Sequence, residues 1–339
     1  MSDTCYEIDA SGDIVLVLSA QRRASPKTSP AEGTTQARPA ESTSPTSTKA
    51  DTDTPIQKDA KEKSPNSEET TSSAVETPRA RFKVSSNHLS LASNYFKNHL
   101  KKRISATSTA DPPEEVHILD CDPEALLIVM NIIHNKGQQI PKELDSAMLL
   151  KVAAVVRYLD CLEACTFFFG VWIQRLADEV CDTWDNSLKW VYISWASNHP
   201  SLFTGSTSTT MSRRCPSSTY PADLNLPDRI KDDITKGWMT GSEKAKSVLS
   251  AETTRLKGET VYCHFCCDSL HLGAIIKATS HVNSSSLCSV HESLQSKTTH
   301  CTAGKPRCVN AASLLILKSA LAKACTGEGL ILQNYPLND

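Results

Sequence analysis

The residues best suited to chemistry are the cysteines and histidines between Cys263 and Cys308. Two pairs there have short spacings, Cys263-x2-Cys266 and Cys288-x2-His291. Tetrahedral zinc is held by four sulfur or nitrogen donors, and such a spacing brings two donors together on one turn of the chain. The two pairs could therefore form a zinc site. Further potential donors nearby are Cys267, His264, His300, Cys301 and Cys308.

The same stretch also has the pattern of a helix with buried thiols. Residues 261–274 read VYCHFCCDSLHLGA, with Tyr262, Phe265, Leu270 and Leu272 as apolar positions. The glycines and basic residues usual in zinc fingers are missing from it, and buried cysteine behaves as a small hydrophobic residue. We therefore predict reduced, buried thiols and assign no metal ligand, with a zinc-binding interaction module as the alternative.

Signatures of catalysis are missing from the sequence. It contains no Gly-rich phosphate loop, no Gly-x-Ser-x-Gly elbow, no His-x-x-x-His pair and no paired-carboxylate motif. The adjacent acids Asp232 and Asp233 fit an exposed helix face better than a metal site. We predict that the chain is not an enzyme and has no catalytic residue, no cofactor and no small-molecule substrate.

Charge and hydropathy limit the classes of partner. The chain has 36 basic and 38 acidic residues and a net charge of -2, so no overall field attracts nucleic acid or an anionic membrane. The short basic groups at 21–23 and 101–103 lack interleaved aromatic residues; they could serve nuclear import, although the second group also suits a solvated helix end. The longest apolar runs are far shorter than the roughly 20 residues that span a bilayer.

The N-terminal residues and the cysteine count indicate a compartment. The first residues are acidic and lack the features of a secretory signal. The 13 cysteines are an odd number and lie mostly in apolar helical patterns, which favours thiols in a reducing compartment. We expect a soluble intracellular protein, nuclear or cytoplasmic, that binds neither nucleic acid directly nor a membrane.

Residues 21–80 form the largest compositional break. About 27 of these 60 residues are Ser, Thr or Pro, and none is aromatic. Such a segment cannot bury enough apolar surface to offset the entropy of ordering, so we predict a disordered insert. Proline-directed kinases could modify its six Ser-Pro or Thr-Pro steps, and the alternative is a passive loop with the usual composition of disordered segments. The steps are at Ser25, Ser29, Ser44, Thr54, Ser64 and Thr77.

Strand and helix patterns flank this insert. Residues 12–20, 81–85 and 115–119 have the length and composition of strands, and the first two could pair across the insert. Asp122, followed by Pro123, predicts the start of a helix that is apolar almost all round, and Asp145 can cap another. Apolar positions then recur at helical spacing up to Trp195. Residues 197–227 are polar and predict a linker, and residues 228–339 predict a mainly helical C-terminal region.

Five separated blocks occur in this order, and together they resemble the BTB/POZ family as it appears in fungal proteins. The blocks are GDIVLVL at 12–18, FKVSSNHLSLASNYFKNHL at 82–100, LDCDPEALLIVMNIIH at 119–134, IP at 140–141 and VVRYLDCLEA at 155–164.

This resemblance implies an α+β fold in which a small sheet of about three strands packs on a helical cluster. Residues 1–20 begin the domain, 81–178 complete it after the insert, and 179–196 are a helical extension. It also implies protein partners or self-association, for instance as a homodimer, and a role in nuclear or transcription-related regulation. A ubiquitin-ligase adaptor is a further alternative, although residues 104–115 show no hydrophobic-x-Glu element of the type associated with cullin binding.

Overall fold

The computed structural model describes most of the chain outside the predicted insert. The described residues are 4–19, 78–101, 114–119, 121–176, 183–215, 217–282, 294, 308–325 and 328–337. Four strands are present among them: β1 (Thr4–Glu7), β2 (Ile14–Ser19), β3 (Pro78–Val84) and β4 (Glu114–Leu119).

Two of the described α-helices lie between β3 and β4, and the others follow β4. The first five are α1 (Ser86–Ala92), α2 (Asn94–Lys101), α3 (Pro123–Ile133), α4 (Ser146–Leu159) and α5 (Leu162–Arg175). The next five are α6 (Trp184–Ala196), α7 (Pro200–Arg213), α8 (Asp228–Lys257), α9 (Phe265–Val282) and α10 (Val309–Cys325). Short 3-10 turns occur at Gly137–Gln139 and Leu332–Asn334.

The strands form one mixed sheet in the order β1-β3-β2-β4. β2 pairs antiparallel with β3 and parallel with β4, and β1 pairs parallel with β3. The three predicted strands are confirmed, and so is the pairing of β2 with β3. The fourth strand, β1, was not predicted, because three of its four residues are exposed and leave no apolar alternation to recognise.

The pairing of β2 with β3 closes the domain across the predicted insert. Ser19 at the end of β2 is the register partner of Pro78 at the start of β3. The two ends of the intervening segment are therefore held side by side at one end of the sheet. Residues 20–77 lie outside the described residues, and the predicted disorder and the six phosphorylation sites stay predictions.

The predicted helix starts are confirmed. Asp122 Oδ1 accepts hydrogen bonds from Glu124 N at 3.0 Å and Ala125 N at 3.1 Å, and Pro123 occupies the first turn of α3. Asp145 Oδ1 accepts from Met148 N at 2.7 Å at the start of α4. Eight of the eleven residues of α3 are buried, so this helix is central to the core as its apolar sequence predicts.

The predicted linker at 197–227 is wrong over its first half, where α7 forms. Phe203 in the first turn of this helix has no exposed surface, and Thr207 and Thr210 are also completely buried. The Thr207 hydroxyl donates to Phe203 O at 2.8 Å and that of Thr210 to Ser206 O at 2.7 Å. These bonds satisfy the hydroxyls within the helix, so a Ser/Thr-rich segment can be buried without losing hydrogen bonds.

One hydrophobic core extends beyond the predicted end of the domain at residue 178. It includes the sheet, α1 to α5, and also Leu188 and Val191 of α6, Phe203 of α7 and Ile230 of α8. The helices that follow residue 178 therefore pack as part of the same unit. A second, smaller core joins the C-terminal half of α8 to α9 and α10 through Leu249, Ile275 and leucines of α10.

The C-terminal segment 328–337 returns to the first core. Leu332 and Tyr335 are 4% and 7% exposed and belong to it. Tyr335 Oη donates to Asp233 Oδ2 at 2.7 Å, and Trp195 Nε1 donates to Tyr335 O at 3.3 Å. The segment therefore connects α6 with the start of α8. Among the described helices, none combines the length and the apolar composition that crossing a membrane requires.

Candidate functional site

Three cysteine sulfur atoms meet where α9 and α10 begin. Cys308 Sγ lies 3.4 Å from Cys263 Sγ and 3.7 Å from Cys267 Sγ, and all three lie within 4.8 Å of one another. Cys267 and Cys308 are buried and Cys263 is half-buried. We name these three residues the sulfur cluster. The nine cysteines whose side chains the structure describes are present as thiols.

The sulfur cluster differs from the predicted zinc pairs. Cys266 is exposed, and Cys267 takes the inward position. Successive residues of a helix point about 100° apart, so only one of these neighbours can face Cys308. The other donors considered in the sequence, Cys288, His291, His300 and Cys301, lie outside the described residues, and His264 is exposed. Burial of Cys267 and Cys308 agrees with the prediction of buried thiols.

The helix termini decide where the three sulfurs lie. Cys267 is in the first turn of α9, and Cys263 lies in the short turn that leads into that helix. Cys308 directly precedes α10, and its carbonyl accepts from Ala312 N at 3.2 Å. The N-terminal ends of two helices therefore lie at the cluster, and the partial positive charge of a helix N-terminus favours negative charge there.

A buried carboxylate and amide surround the sulfurs. Asp268 accepts hydrogen bonds from Tyr262 N at 2.9 Å, Cys263 N at 3.3 Å and Asn310 Nδ2 at 2.5 Å. Burial alone would raise the pKa of Asp268, but these hydrogen bonds outweigh it and lower the pKa below its ordinary value. Asp268 therefore stays ionised and holds the turn that carries Cys263.

Asn310 links this carboxylate to the sulfur cluster. Its side chain is 1% exposed, and Nδ2 lies 3.7 Å from Cys267 Sγ as a donor. Arg255 Nη2 donates to Asn310 Oδ1 at 3.2 Å, which turns the amide so that its NH2 group faces Asp268 and Cys267. Sequence reasoning missed Asn310 and Asp268, since an amide and a carboxylate 42 residues apart have no shared sequence signal.

A second group of potential ligands, Asp9, His88 and His134, has a structural explanation. His134 Nε2 accepts from Ser85 N at 3.0 Å, and His134 Nδ1 donates to Met130 O at 2.9 Å. Both ring nitrogens are thus occupied in the neutral imidazole. Burial lowers the pKa of His134 below its ordinary value, which keeps this tautomer. The ring joins β3, α1 and α3 rather than binding a metal.

The helices that share the first hydrophobic core carry large apolar side chains on their surface. Leu91 on α1 is 87% exposed and Phe167 on α5 is 74% exposed. Phe167 borders a groove of about 270 Å³ whose floor includes Trp172, and Trp172 Nε1 donates to Pro141 O at 3.0 Å. A larger cavity of about 570 Å³ lies between α5, α6 and α7 and is lined by Ile173, Trp190 and Leu202, among others.

The sequence of this part of the chain matches a known protein family. Residues 66–170 match the family model described as BTB/POZ domain. The chain contains a BTB/POZ domain. The match begins at residue 66, within the predicted insert at 21–80. β2 precedes this range but lies between β3 and β4, so the BTB sheet also includes residues before the match. Searches of curated proteins and of solved structures returned no match.

A BTB domain is a protein-interaction module without catalytic chemistry, in agreement with the function that the resemblance implied. The two acids considered above also have a local explanation: Asp232 is exposed, and Asp233 accepts the Tyr335 hydroxyl. The segment 104–115 shows no cullin-binding element in its sequence, and its residues 104–113 lie outside the described residues, as do Lys102 and Arg103 of the second basic group.

Proposed function

We propose that this protein is a non-enzymatic interaction scaffold whose BTB domain associates with a second copy of the chain or with a protein partner. The observation that carries the proposal is the BTB/POZ match over residues 66–170. The domain's own exposed surface supports it. A leucine that is 87% exposed on α1 and a phenylalanine that is 74% exposed on α5 each leave an apolar side chain in contact with water.

Self-association is the form of the proposal that can be measured without knowing a partner. Leu91 is the most exposed large apolar residue of the described chain, and a contact that covers it would gain about 25 cal/mol per Å² of apolar area. Burial of a new charge at this position in a dimer would be costly. Leu91→Asp should therefore weaken association while leaving the fold intact, because the side chain makes little contact within one chain.

Light scattering of the full chain at micromolar concentration tests this. We expect a dimer for the wild type and a shift toward monomer for Leu91→Asp. The matched control is Asn98→Asp, which adds the same charge at an exposed position of α2 and should leave the mass unchanged. A wild type that is monomeric throughout this range would remove self-association from the proposal. If Leu91→Asp and Asn98→Asp lower the measured mass equally, the effect comes from the added charge and not from the loss of Leu91.

The second surface, around Phe167, is the proposed site for a different protein. The groove beside it is lined by Ile140, Pro141 and Trp172, which would receive an apolar side chain. Partners captured on the wild-type full chain from the native source should be lost with Phe167→Asp and kept with the exposed-site control Asn98→Asp. If every specifically captured protein binds both variants equally, this groove is not the contact.

We propose nuclear or transcription-related regulation as the setting. Its support is the basic groups at 21–23 and 101–103, of which Lys101 is exposed at the end of α2. Fluorescent fusions of the full chain test this. We expect nuclear signal for the wild type and its loss when Arg22, Arg23, Lys101, Lys102 and Arg103 are all changed to Ala. A wild-type fusion excluded from the nucleus would contradict the setting and leave the interaction proposal in place.

A further inference from the structure

The spacing of the sulfur cluster is the spacing of a metal-thiolate site. Zinc–sulfur bonds are about 2.3 Å long, so two sulfurs of a tetrahedral zinc site are about 3.8 Å apart. Cys308 Sγ lies 3.4 Å from Cys263 Sγ and 3.7 Å from Cys267 Sγ. A disulfide would need about 2.05 Å and could join only two of the three sulfurs. The arrangement instead places three donors around one point.

Two helix N-termini and one amide donor favour negative charge on these sulfurs, against the nearby carboxylate of Asp268. The first turn of α9 and the start of α10 both lie at the cluster, and a helix N-terminus carries a partial positive charge. Asn310 Nδ2 is positioned to donate to Cys267 Sγ at 3.7 Å, within a side chain that is 1% exposed. Hydrogen bonds of this kind orient metal ligands in protein sites.

The turn that carries Cys263 is itself fixed by hydrogen bonds. Asp268 accepts from the backbone N–H groups of Tyr262 and Cys263, and it also accepts from Asn310. The position of the Cys263 sulfur is thus coupled to that of the Asn310 amide beside Cys267. A preorganised donor set lowers the entropic cost of binding an ion.

We propose that Cys263, Cys267 and Cys308 bind a zinc ion through three thiolates, with the fourth position open to water or to an external donor. Binding displaces the three thiol protons, so Zn²⁺ and three thiols give a zinc tris-thiolate of charge -1 and three protons. No electron transfer is involved. The ion clamps the turn before α9 to the start of α10, and so ties together the two helices that pack against the C-terminal half of α8.

Metal analysis of the full chain, purified under reducing conditions and never exposed to chelator, tests the proposal. We expect about one equivalent of zinc per chain, given how tightly structural zinc is held. Cys308→Ser and Cys267→Ser should reduce it to a small fraction. The matched control is Cys266→Ser, which removes the exposed neighbouring sulfur and should leave the zinc content unchanged.

A cobalt experiment uses only the wild-type chain, so its result does not depend on whether the cysteine variants fold. After zinc removal, Co²⁺ added to the reduced protein should produce a sulfur-to-cobalt charge-transfer band in the near ultraviolet, and one equivalent of zinc should abolish it. Less than about 0.2 equivalents of bound zinc together with no charge-transfer band would overturn the proposal. So would a loss of zinc in Cys266→Ser as large as that in Cys308→Ser, because the ligands would then be a different set.

Discussion

Removal of the Tyr335 side chain should detach the C-terminal segment from the BTB unit. Two substitutions separate its interactions: Tyr335→Phe deletes only the hydroxyl that donates to Asp233, and Tyr335→Ala deletes the ring as well. The ring lies 5.8 Å from that of Phe203 and beneath the Arg229 guanidinium at 5.3 Å, and the residue is 7% exposed.

The magnitudes follow from these contacts. A hydrogen bond to a charged group contributes about 1.5 to 3 kcal/mol. The side chain of Asp233 is 29% exposed, so we expect the lower end, about 1.5 kcal/mol, for Tyr335→Phe. Truncation of a buried aromatic ring costs about 3 to 5 kcal/mol, which is the expectation for Tyr335→Ala. Gln333→Ala, an exposed position on the same 3-10 turn, should change the stability by less than about 0.5 kcal/mol.

Urea unfolding at 25 °C, followed by tryptophan fluorescence, measures these free energies directly, and Trp195 contacts the segment through its bond to Tyr335 O. The hydrogen bond from Tyr335 is the main cause that lowers the pKa of Asp233. Stability from that lowered pKa is present above the unfolded value of about 3.8 and is lost as pH falls through the folded value. The difference between wild type and Tyr335→Phe should therefore shrink below about pH 4.

Two results would refute this reasoning. Equal stability of Tyr335→Ala and Gln333→Ala would show that residues 328–337 do not pack on α6 and α7 in solution. An equal cost of Tyr335→Phe in the wild type and in an Asp233→Ala background would show that the hydroxyl acts through another partner. Neither result would bear on the zinc proposal, which concerns the second core.

The other predictions concern the BTB unit. The free energy of unfolding should fall as pH drops below about 6.5, because the unfolded His134 takes up a proton that the buried ring resists; the slope measured by urea titration should be smaller in His134→Gln, and an unchanged slope would contradict this role. Asp122→Ala should cost about 1 kcal/mol through loss of the α3 cap, and Asp122→Asn should recover most of it in the same assay. Gly12→Ala should lower the thermal midpoint, since its Cβ would lie 2.6 Å from Val84 O; an unchanged midpoint would mean that the strands shift freely. Replacement of Ala24–Val75 by a short Gly-Ser linker should keep the midpoint within a few degrees, and a collapse of folding would show that this segment packs on the domain.

Elements with strong local signals could be predicted from the sequence. Asp122 and Asp145 mark helix starts because their side chains bond to backbone groups only two or three residues away. β2 has a continuous apolar run, which is typical of a strand buried between two neighbours. In each case the physical cause lies within a few residues of the chain.

Features that arise from tertiary contacts could not be predicted in the same way. β1 is held by backbone pairing with β3, more than 70 residues away, and its side chains carry almost no signal. The sequence of α7 is indistinguishable in composition from a linker until its hydroxyls are seen to bond within the helix. For the cysteine-rich stretch, the spacing indicated donors, but the choice of Cys267 over Cys266 depends on the direction in which α9 presents each residue.

The central position of β2 has a consequence for synthesis on the ribosome. Both of its partners, β3 and β4, are encoded after the roughly 60 residues that follow Ser19. At about 5 to 20 residues per second, the nascent chain presents Ile14–Leu18 for roughly 3 to 13 seconds before β3 is complete, and for longer before β4 is. An unpaired β-branched run of this kind readily pairs with other chains. Nascent chains of this protein therefore expose the unpaired segment Ile14–Leu18 for an interval that lengthens with every residue added between β2 and β3.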